Sequence, residues 1–320
     1  MNTSTSQPRH FGFLLIPGYA LMSAASAVEP LRAANLLGRA GHYRMSFVNA
    51  EGGWAPTSVA ACGFQTVPMA EIEADFDILF VVAGGDPLSF RDPRVSAWLR
   101  RAARAGTPLG GISGGAAILA AAGVMSQRRY TVHWLHLDEM RETYPDALVE
   151  RRLFVIDRDR YTCAGGMAPL DMMHALITAD HGIELARSVS DWLIHTGIRQ
   201  AEAPQQLDPV QRYDVHHPAL AAMIQLISSH IADPITLSDL ATLCGVSARQ
   251  LVRLSRQHLG ETPMSFYRKV RMAKAAEMLN QTSMSIETVA VATGFTNRSH
   301  FSRMFKQQFG KGPAALRRAV

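Results

Sequence analysis

The first half of the chain alternates short apolar runs with stretches of helical periodicity. The apolar runs predict buried strands at residues 11–16, 43–50, 76–83 and 108–112. The intervening patterns predict helices at residues 23–38, 92–105 and 114–122, and two further packed helices follow at residues 168–180 and 182–195. Such alternation predicts an α/β domain in which a parallel sheet is flanked by helices on both faces.

The pattern changes near residue 197. Residues 197–217 are polar, contain prolines and show no sustained period, which is typical of a linker. Beyond them, every patterned stretch is helical and short turns separate one stretch from the next. We therefore predict an α/β domain at residues 1–196, a linker at 197–216, and an all-α domain at 217–320.

Residues 237–260 predict a helix-turn-helix. Leu237, Leu240, Ala241 and Cys244 recur at helical spacing. Gly245 supplies a turn, and Ser247 is placed to cap a second helix. The second helix would bury Leu251, Leu254 and Leu259. Its other face is polar and cationic, which suits the major groove, and carries Arg249, Gln250, Arg253 and Arg256.

A second copy of this plan follows at residues 285–310, with its turn at Gly294. Its second helix would bury Phe301, Met304, Phe305 and Phe309, and expose Arg298, Ser299, Ser302, Arg303 and Lys306. The amphipathic stretch 263–281 lies between the copies, with a predicted core stripe of Phe266, Tyr267, Val270, Ala273 and Leu279. It could place the two recognition helices about 34 Å apart in successive major-groove segments.

This region resembles the DNA-binding domain of the AraC/XylS family. The resemblance rests on A-x3-G-V-S at residues 241–247 and on the run G-F-x4-H-F-x-R-x-F-K-x2-F-G-x2-P at residues 294–313. It implies base contacts from Arg249, Val252 and Arg253 in the first unit and from Arg298, Ser299, Ser302 and Arg303 in the second. Arginine can bond guanine edges in a bidentate way, whereas Val252 offers an apolar contact, as to a thymine methyl. The family also implies activation through RNA polymerase.

The charge distribution agrees with a DNA-binding module at the C-terminal end. Residues 209–320 hold 14 Lys and Arg against 6 Asp and Glu, while the whole chain holds 32 against 27, which leaves 18 against 21 for residues 1–208. A basic domain joined to a mildly acidic one indicates a polyanion-binding module attached to a domain with another task.

A tight glycine-rich turn follows the strand predicted at residues 108–112. Gly111-Ile112-Ser113-Gly114-Gly115 fits G-x-S-x-G, the nucleophile elbow, in which glycines permit a strained turn that exposes the serine. The helix that starts beside Ser113 would favour an anionic or carbonyl oxygen. His133 lies 20 residues downstream of Ser113, at the end of an apolar run.

Residues 10–195 resemble the class I glutamine amidotransferase-like superfamily in its PfpI-type branch. The matching segments are LLIPGY, VEPLRAAN, VVAGG, the elbow, TVHW and CAGGMAPLDMMHALI. The resemblance implies a cysteine at the elbow, where this chain has Ser113, and an acidic partner near Ser23, where it has no carboxylate. A serine hydroxyl needs an oriented base to act as a nucleophile. We therefore expect a pocket that has lost its chemistry.

An amidotransferase-like domain fused to an AraC-type domain is similar to regulators that sense quaternary amines, such as glycine betaine or carnitine, or arginine. We predict a small-molecule effector site formed by Glu29, Ser113, Gly114, His133 and Trp134. An aromatic face beside a carboxylate suits a quaternary ammonium group. The sensor domain is expected to dimerise, so that a homodimer binds paired operator half-sites in double-stranded DNA.

Two alternatives stay open from the residues alone. A serine hydrolase or amidase with an appended basic module would use Ser113, His133 and an unassigned acid. An architectural protein would bind DNA with little specificity.

Other classes of protein fit the sequence poorly. The three cysteines lack CxxC spacing, no histidine or carboxylate cluster has metal-ligand spacing, and no apolar run is long enough to span a membrane. We expect a cytoplasmic protein without a metal or cofactor.

Overall fold

The computed structural model describes residues 7–38, 41–73, 75–282 and 284–317. The chain forms two compact units, Met1–Gln205 and Gln206–Val320. In the described residues, no helix combines the length and apolar character needed to cross a membrane.

The first unit is built on an eight-stranded sheet. Its strands are β1 (Arg9–Leu15), β2 (Tyr43–Asn49), β3 (Gly53–Pro56), β4 (Gly63–Pro68), β5 (Ile78–Ala83), β6 (Leu109–Ser113), β9 (Phe154–Asp157) and β10 (Arg160–Cys163). Their order in the sheet is β3-β4-β2-β1-β5-β6-β10-β9. The inner pairs are parallel, and the two edge pairs, β3–β4 and β9–β10, are antiparallel. The predicted α/β class is confirmed.

Helices cover both faces of this sheet. They are α1 (Leu21–Leu37), α2 (Pro93–Arg104), α3 (Gly115–Ala121), α4 (Leu137–Thr143), α5 (Ala168–His181) and α6 (Ile183–Trp192). A two-stranded sheet of β7 (Arg129–Tyr130) and β8 (Leu148–Val149) and a 3₁₀ turn at Trp134–His136 complete the unit. The helices predicted from periodicity are present to within three residues at each end.

Strand side chains alternate between two cores, one on each face of the sheet. Phe13 and Phe80 belong to the core on the α1, α5 and α6 side, while their neighbours Leu14 and Val81 belong to the core under α2 and α3. All four side chains are fully buried. Burying each such side chain contributes about 1.5–3 kcal/mol, so the continuous apolar runs are the signature of strands covered on both faces.

The segment predicted as a linker is shared between the two units. Arg199 pairs with the buried Asp171 at 2.7 Å, and the Gln205 amide donates to the Arg152 carbonyl at 2.7 Å, so residues up to 205 pack on the first unit. The short helix α7 (Pro209–Arg212) and the buried Val215 belong to the second unit. The polar character of this segment reflects buried hydrogen bonds and ion pairs as much as exposure to solvent.

The second unit is helical throughout its described residues. After α7 come α8 (Pro218–Ser229), α9 (Leu237–Leu243), α10 (Ala248–Leu259), α11 (Pro263–Gln281), α12 (Ile286–Ala292), α13 (Arg298–Phe309) and α14 (Pro313–Arg317). The helices α8, α9 and α10 pack around one core, and α12 and α13 pack around another.

The long helix α11 contributes to both of these cores. Phe266 and Tyr267 lie in the first core, and Met272 and Leu279 lie in the second. The predicted stripe was wrong at Ala273, which is exposed, because the buried face of α11 turns toward a different core after its first two turns. Phe309, predicted to be buried, is 36% exposed and contacts Phe305 at the helix end.

Candidate DNA interface and candidate ligand site

The first helix-turn-helix consists of α9 and α10. Gly245 has φ +70° in the turn between them, which a residue without a Cβ adopts readily. Ser247 then caps α10: its hydroxyl accepts from the Gln250 N–H, and the Gln250 side chain accepts from the Ser247 N–H at 3.0 Å. Gln250, expected at the DNA surface, therefore also closes a capping box that fixes where α10 begins.

The second helix-turn-helix consists of α12 and α13. Gly294 has φ +75°, and a Cβ added there would lie 2.8 Å from the Ile231 carbonyl oxygen. Arg271 on α11 donates to the Thr293 and Gly294 carbonyls and stacks on the Phe295 ring at 4.1 Å. Asn297 caps α13 by accepting from the His300 N–H at 3.0 Å. The close backbone packing at Gly294, the Arg271 guanidinium and the Phe295 ring together fix the turn that orients α13.

The predicted recognition side chains lie on one face of each second helix. On α10, Arg249, Gln250, Arg253 and Arg256 are exposed and Val252 is half-buried; on α13, Arg298, Ser299 and Arg303 are exposed and Ser302 is half-buried. Within the part of the chain that the structure describes, no ion pair involves any of these five arginines. Their charges are available to a polyanion.

The elbow at the end of β6 has the strained turn that the motif predicts, but its serine is buried and not exposed. Ser113 is buried and has φ +58°, a conformation that is uncommon for a residue with a Cβ and marks a strained turn. Gly114 follows as the N-cap of α3. The turn is enclosed by close backbone packing, since a Cβ added at Gly165 would lie 2.5 Å from the Cβ of Ser113.

The position expected for an acidic partner is filled by serine side chains. The Ser23 hydroxyl accepts from the Gly166 N–H at 2.8 Å, and the Ser26 hydroxyl donates to the Gly166 carbonyl at 2.7 Å. Because Gly165 packs on Ser113, these bonds tie the start of α1 to the elbow. They supply positioning and no negative charge.

His133 and Ser113 do not form a preassembled pair. Among the described residues no hydrogen bond joins them, and the His133 Nδ1 accepts from the Leu135 N–H at 3.3 Å. Burial lowers the pKa of His133, so its ring is neutral at pH 7. The nearby Cys163 is no substitute nucleophile, because burial raises the pKa of its thiol to about 12.

The remaining predicted ligand residues differ in their surroundings. Trp134 lies beside His133, with ring centroids 5.1 Å apart, in the 3₁₀ turn. Glu29 is 44% exposed and forms an ion pair with Arg32 at 2.7 Å, one turn further along α1. A cationic ligand at Glu29 would therefore have to displace Arg32.

Sequence reasoning missed two polar groups near the elbow. Pro87 packs on Gly114, where an added Cβ would lie 2.7 Å away, so its neighbour Asp86 lies close to the elbow. Burial lowers the pKa of His136 to about 4, with His133 acting in the same direction and Asp86 opposing it. The His136 Nδ1 is buried and lacks a hydrogen-bond partner in the described residues. No motif links Asp86 and His136 in sequence, so only the fold brings them together.

Comparisons with known proteins agree with this two-part description. The helix-turn-helix domain family matches residues 240–319, and the DJ-1/PfpI family matches residues 19–179. The chain is 41% identical over 314 residues to the HTH-type transcriptional regulator GlxA of Rhizobium meliloti (strain 1021), covering 97% of this chain and 96% of that protein. It is 40% identical over 306 residues to the HTH-type transcriptional regulator CdhR of Pseudomonas aeruginosa, covering 95% and 90%.

A solved structure is similar to part of the chain. The crystal structure of an AraC family transcriptional regulator from Pseudomonas putida covers 58% of this chain and 100% of its own, with 25% identity and a TM-score of 0.52. One family match lies in each unit, and the two regulators align over nearly their whole length. The chain therefore belongs to the AraC family of HTH-type, DNA-binding transcriptional regulators, with an N-terminal domain of the DJ-1/PfpI type.

Proposed function

We propose that the N-terminal domain is a catalytically inactive sensor of a small metabolite that controls DNA binding. A homodimer binds paired operator half-sites, and the bound regulator activates transcription through contact with RNA polymerase. The elbow carries this proposal: it keeps the strained turn of a nucleophile site, but a serine stands there, no base among the described residues is hydrogen-bonded to it, and serines fill the position expected for the acidic partner. An alcohol in that setting is a poor nucleophile.

The carboxyl edge of the sheet is the favoured place for the effector. The loops after β1, β5, β6 and β10 meet there, since Gly84 lies against Gly18 and Gly165 lies against Ser113. In open α/β sheets, ligands bind outside the carboxyl ends of the strands. Ser113 and Gly114 form the floor of the proposed site, and His133 and Trp134 form an aromatic wall.

A cationic effector requires a carboxylate opposite this aromatic wall. Glu29 can supply it when Arg32 is displaced, and Asp86 can supply it from the loop next to Gly114. A quaternary amine or a basic amino acid combines the cation that a carboxylate attracts with methyl or methylene groups that an aromatic face accepts.

The proposed DNA contacts come from both recognition helices. The base-reading positions are Arg249, Gln250, Val252, Arg253 and Arg256 on α10, and Arg298, Ser299, Ser302 and Arg303 on α13. Their support is a shared exposed face and charges without ion-pair partners in the described residues. The dimer would exist in two arrangements that differ in their affinity for DNA. Effector binding would shift the population toward the arrangement that binds the effector more tightly, and the ratio of the two effector affinities sets the size of the shift.

Titration calorimetry of the full-length protein tests the sensor. We expect saturable heat from at least one of glycine betaine, carnitine and arginine, and at least tenfold weaker binding when the carboxylate that faces the ligand is neutralised by Glu29→Gln or Asp86→Asn. Glu184→Gln is the matched control, because Glu184 forms the same kind of exposed i,i+3 pair with Arg187 on α6. Absence of heat from all three compounds would remove the cationic effector from the proposal.

An ester and amide hydrolysis panel separates the sensor from a serine hydrolase. We expect the wild-type protein and Ser113→Ala to show the same background rate, because no base among the described residues is bonded to the Ser113 hydroxyl. A removed nucleophile in a working triad would instead cost several orders of magnitude in rate. Turnover that disappears in Ser113→Ala would make the N-terminal domain an enzyme.

A further inference from the structure

A cavity lies on the edge of the sheet opposite to the elbow. Its volume is about 350 Å³, and it is lined by the last turn of α2, the loop after α3 and the first residue of β10. Arg160 begins β10 and pairs in register with Leu109, the first residue of β6, whereas Ser113 ends β6. At about 3.3 Å per residue, the two ends of β6 are about 13 Å apart. We call this cavity the arginine groove.

Four arginines line the arginine groove, namely Arg100, Arg104, Arg128 and Arg160. One carboxylate, Asp159, faces two of them, and both of its oxygens are engaged: Oδ1 accepts from Arg128 at 2.7 Å and Oδ2 accepts from Arg160 at 2.8 Å. Arg100 and Arg104 form no ion pair among the described residues. The positive charge of the groove is therefore only partly compensated within the domain.

The buried side chain of Arg160 distinguishes the arginine groove from a patch of exposed surface charge. The residue is 6% exposed. Its Nε donates to the Val124 carbonyl at 2.9 Å, and its Nη1 donates to the Asp159 carbonyl at 3.0 Å. In the described part of the chain its Nη2 makes no hydrogen bond, and this nitrogen is not fully buried. Because the residue lines the cavity, Nη2 can donate to water or to a ligand there.

We propose that the arginine groove binds a compact anion with two or more negative charges, such as a phosphorylated or polycarboxylate metabolite. Guanidinium groups match phosphate and carboxylate oxygens in bidentate geometry. The cavity volume lies at the small end of the range of about 300–1,000 Å³ for ligand pockets, which favours a compact molecule. Burial and the nearby Arg128 and Arg158 lower the pKa of Arg160, and a bound anion would relieve that cost. The domain would then carry two ligand sites, one on each edge of its sheet.

Calorimetric titration of the full-length protein with pyrophosphate and with citrate, at constant ionic strength set with NaCl, tests this site. We expect saturable heat from at least one of them; heat from pyrophosphate alone identifies a phosphate ligand, and heat from citrate alone identifies a carboxylate ligand. The double variant Arg100→Ala/Arg104→Ala should weaken that binding at least tenfold. Both arginines are exposed, so the variant is expected to fold, and tryptophan fluorescence checks this.

Arg101→Ala is the matched control, because Arg101 is exposed on the same helix and lies outside the arginine groove. We expect it to bind the anion as the wild type does. The proposal is overturned if neither anion gives saturable heat or if the double variant binds as tightly as the wild type. It is also overturned if the double variant keeps its affinity for the anion and loses affinity for non-operator DNA. That result would mean that the arginine groove contacts DNA phosphates and does not bind a metabolite.

Discussion

The double variant Arg253→Ala/Arg303→Ala is expected to bind its operator about 30-fold to 10⁴-fold more weakly than the wild type. Each bidentate contact between arginine and guanine is worth about 1–3 kcal/mol, and each 1.4 kcal/mol corresponds to a tenfold change in affinity. The variant removes one such contact from each recognition helix. Both side chains are exposed, so the free energy of unfolding should change by no more than about 0.5 kcal/mol.

The pair is chosen because it lies at corresponding places in the two copies of the motif. The helix α10 begins at Ala248 and α13 begins at Arg298, so Arg253 and Arg303 are each the sixth residue of their helix. The two helices belong to one unit joined by α11, whose side chains enter both cores. Loss of both contacts should therefore cost nearly the sum of the two single losses.

Gel retardation with operator and non-operator duplexes measures the effect. Arg212→Ala/Arg268→Ala is the control. It also removes two positive charges, but from exposed positions on α7 and α11, outside the recognition helices. We expect it to weaken binding to both duplexes to a similar, small extent. If the Arg253/Arg303 variant kept its preference for the operator, these arginines would not read bases.

The sequence predicts the buried parallel strands and the helices between them well, because the burial that stabilises these elements also determines their pattern of apolar residues. A strand covered on both faces must be apolar at every position, as β5 is, and it stands out from the polar turns around it. The sequence predicts the helix-turn-helix units equally well. Each needs a glycine at positive φ and a capping residue two or three positions later, which Gly245 and Ser247 supply in the first unit and Gly294 and Asn297 in the second.

The sequence predicts the short edge strands poorly. β9 and β10 have four residues each and are joined by a turn at Arg158 and Asp159 in a charged stretch. Neither length nor alternation separates them from loops. The position of β10 is determined by its pairing with β6, and that of β9 by its pairing with β10. The stripe of α11 fails for a related reason, because a helix shared by two cores has no single buried face.

Some parts of the candidate sites are predicted from the sequence and others are not, for the same reason. Ser113 and its strained turn follow from a local motif, as do the exposed arginines of α10 and α13. Asp86 and the arginine groove do not, because their parts come from segments that are far apart in sequence and meet only in the folded sheet. Glu29 is the opposite case: a residue singled out in sequence is engaged locally by Arg32.

Gly115→Ala is expected to destabilise the N-terminal domain by about 3 kcal/mol, the upper part of the range for overpacking. A Cβ at this position would lie 1.9 Å from the Val81 carbonyl oxygen. That oxygen belongs to the backbone of β5, which is fixed by its pairing with β1 and β6, so it cannot rotate away. The methyl group can be accommodated only if α3 moves off the sheet, and Ser113 moves with it.

Thermal unfolding followed by tryptophan fluorescence isolates this effect. All four tryptophans, Trp54, Trp98, Trp134 and Trp192, lie in the first unit, so the signal reports that unit alone. For a domain of this size, each kcal/mol shifts the melting temperature by about 2–4 °C, so we expect a decrease of about 6–12 °C. Gly197→Ala is the control and should change little, because no atom of the described residues other than its chain neighbours lies within 4 Å of its added Cβ.

The same variant tests whether the elbow is the effector site. An altered Ser113 turn should abolish the heat of effector binding at temperatures where the domain is still folded, while the arginine groove on the opposite edge keeps its anion. The glycine is needed because α3 must start in direct contact with the backbone of β5 if the turn at Ser113 is to be held at positive φ. Unchanged melting and unchanged effector binding in Gly115→Ala would mean that neither the tight packing nor the strained turn matters for sensing.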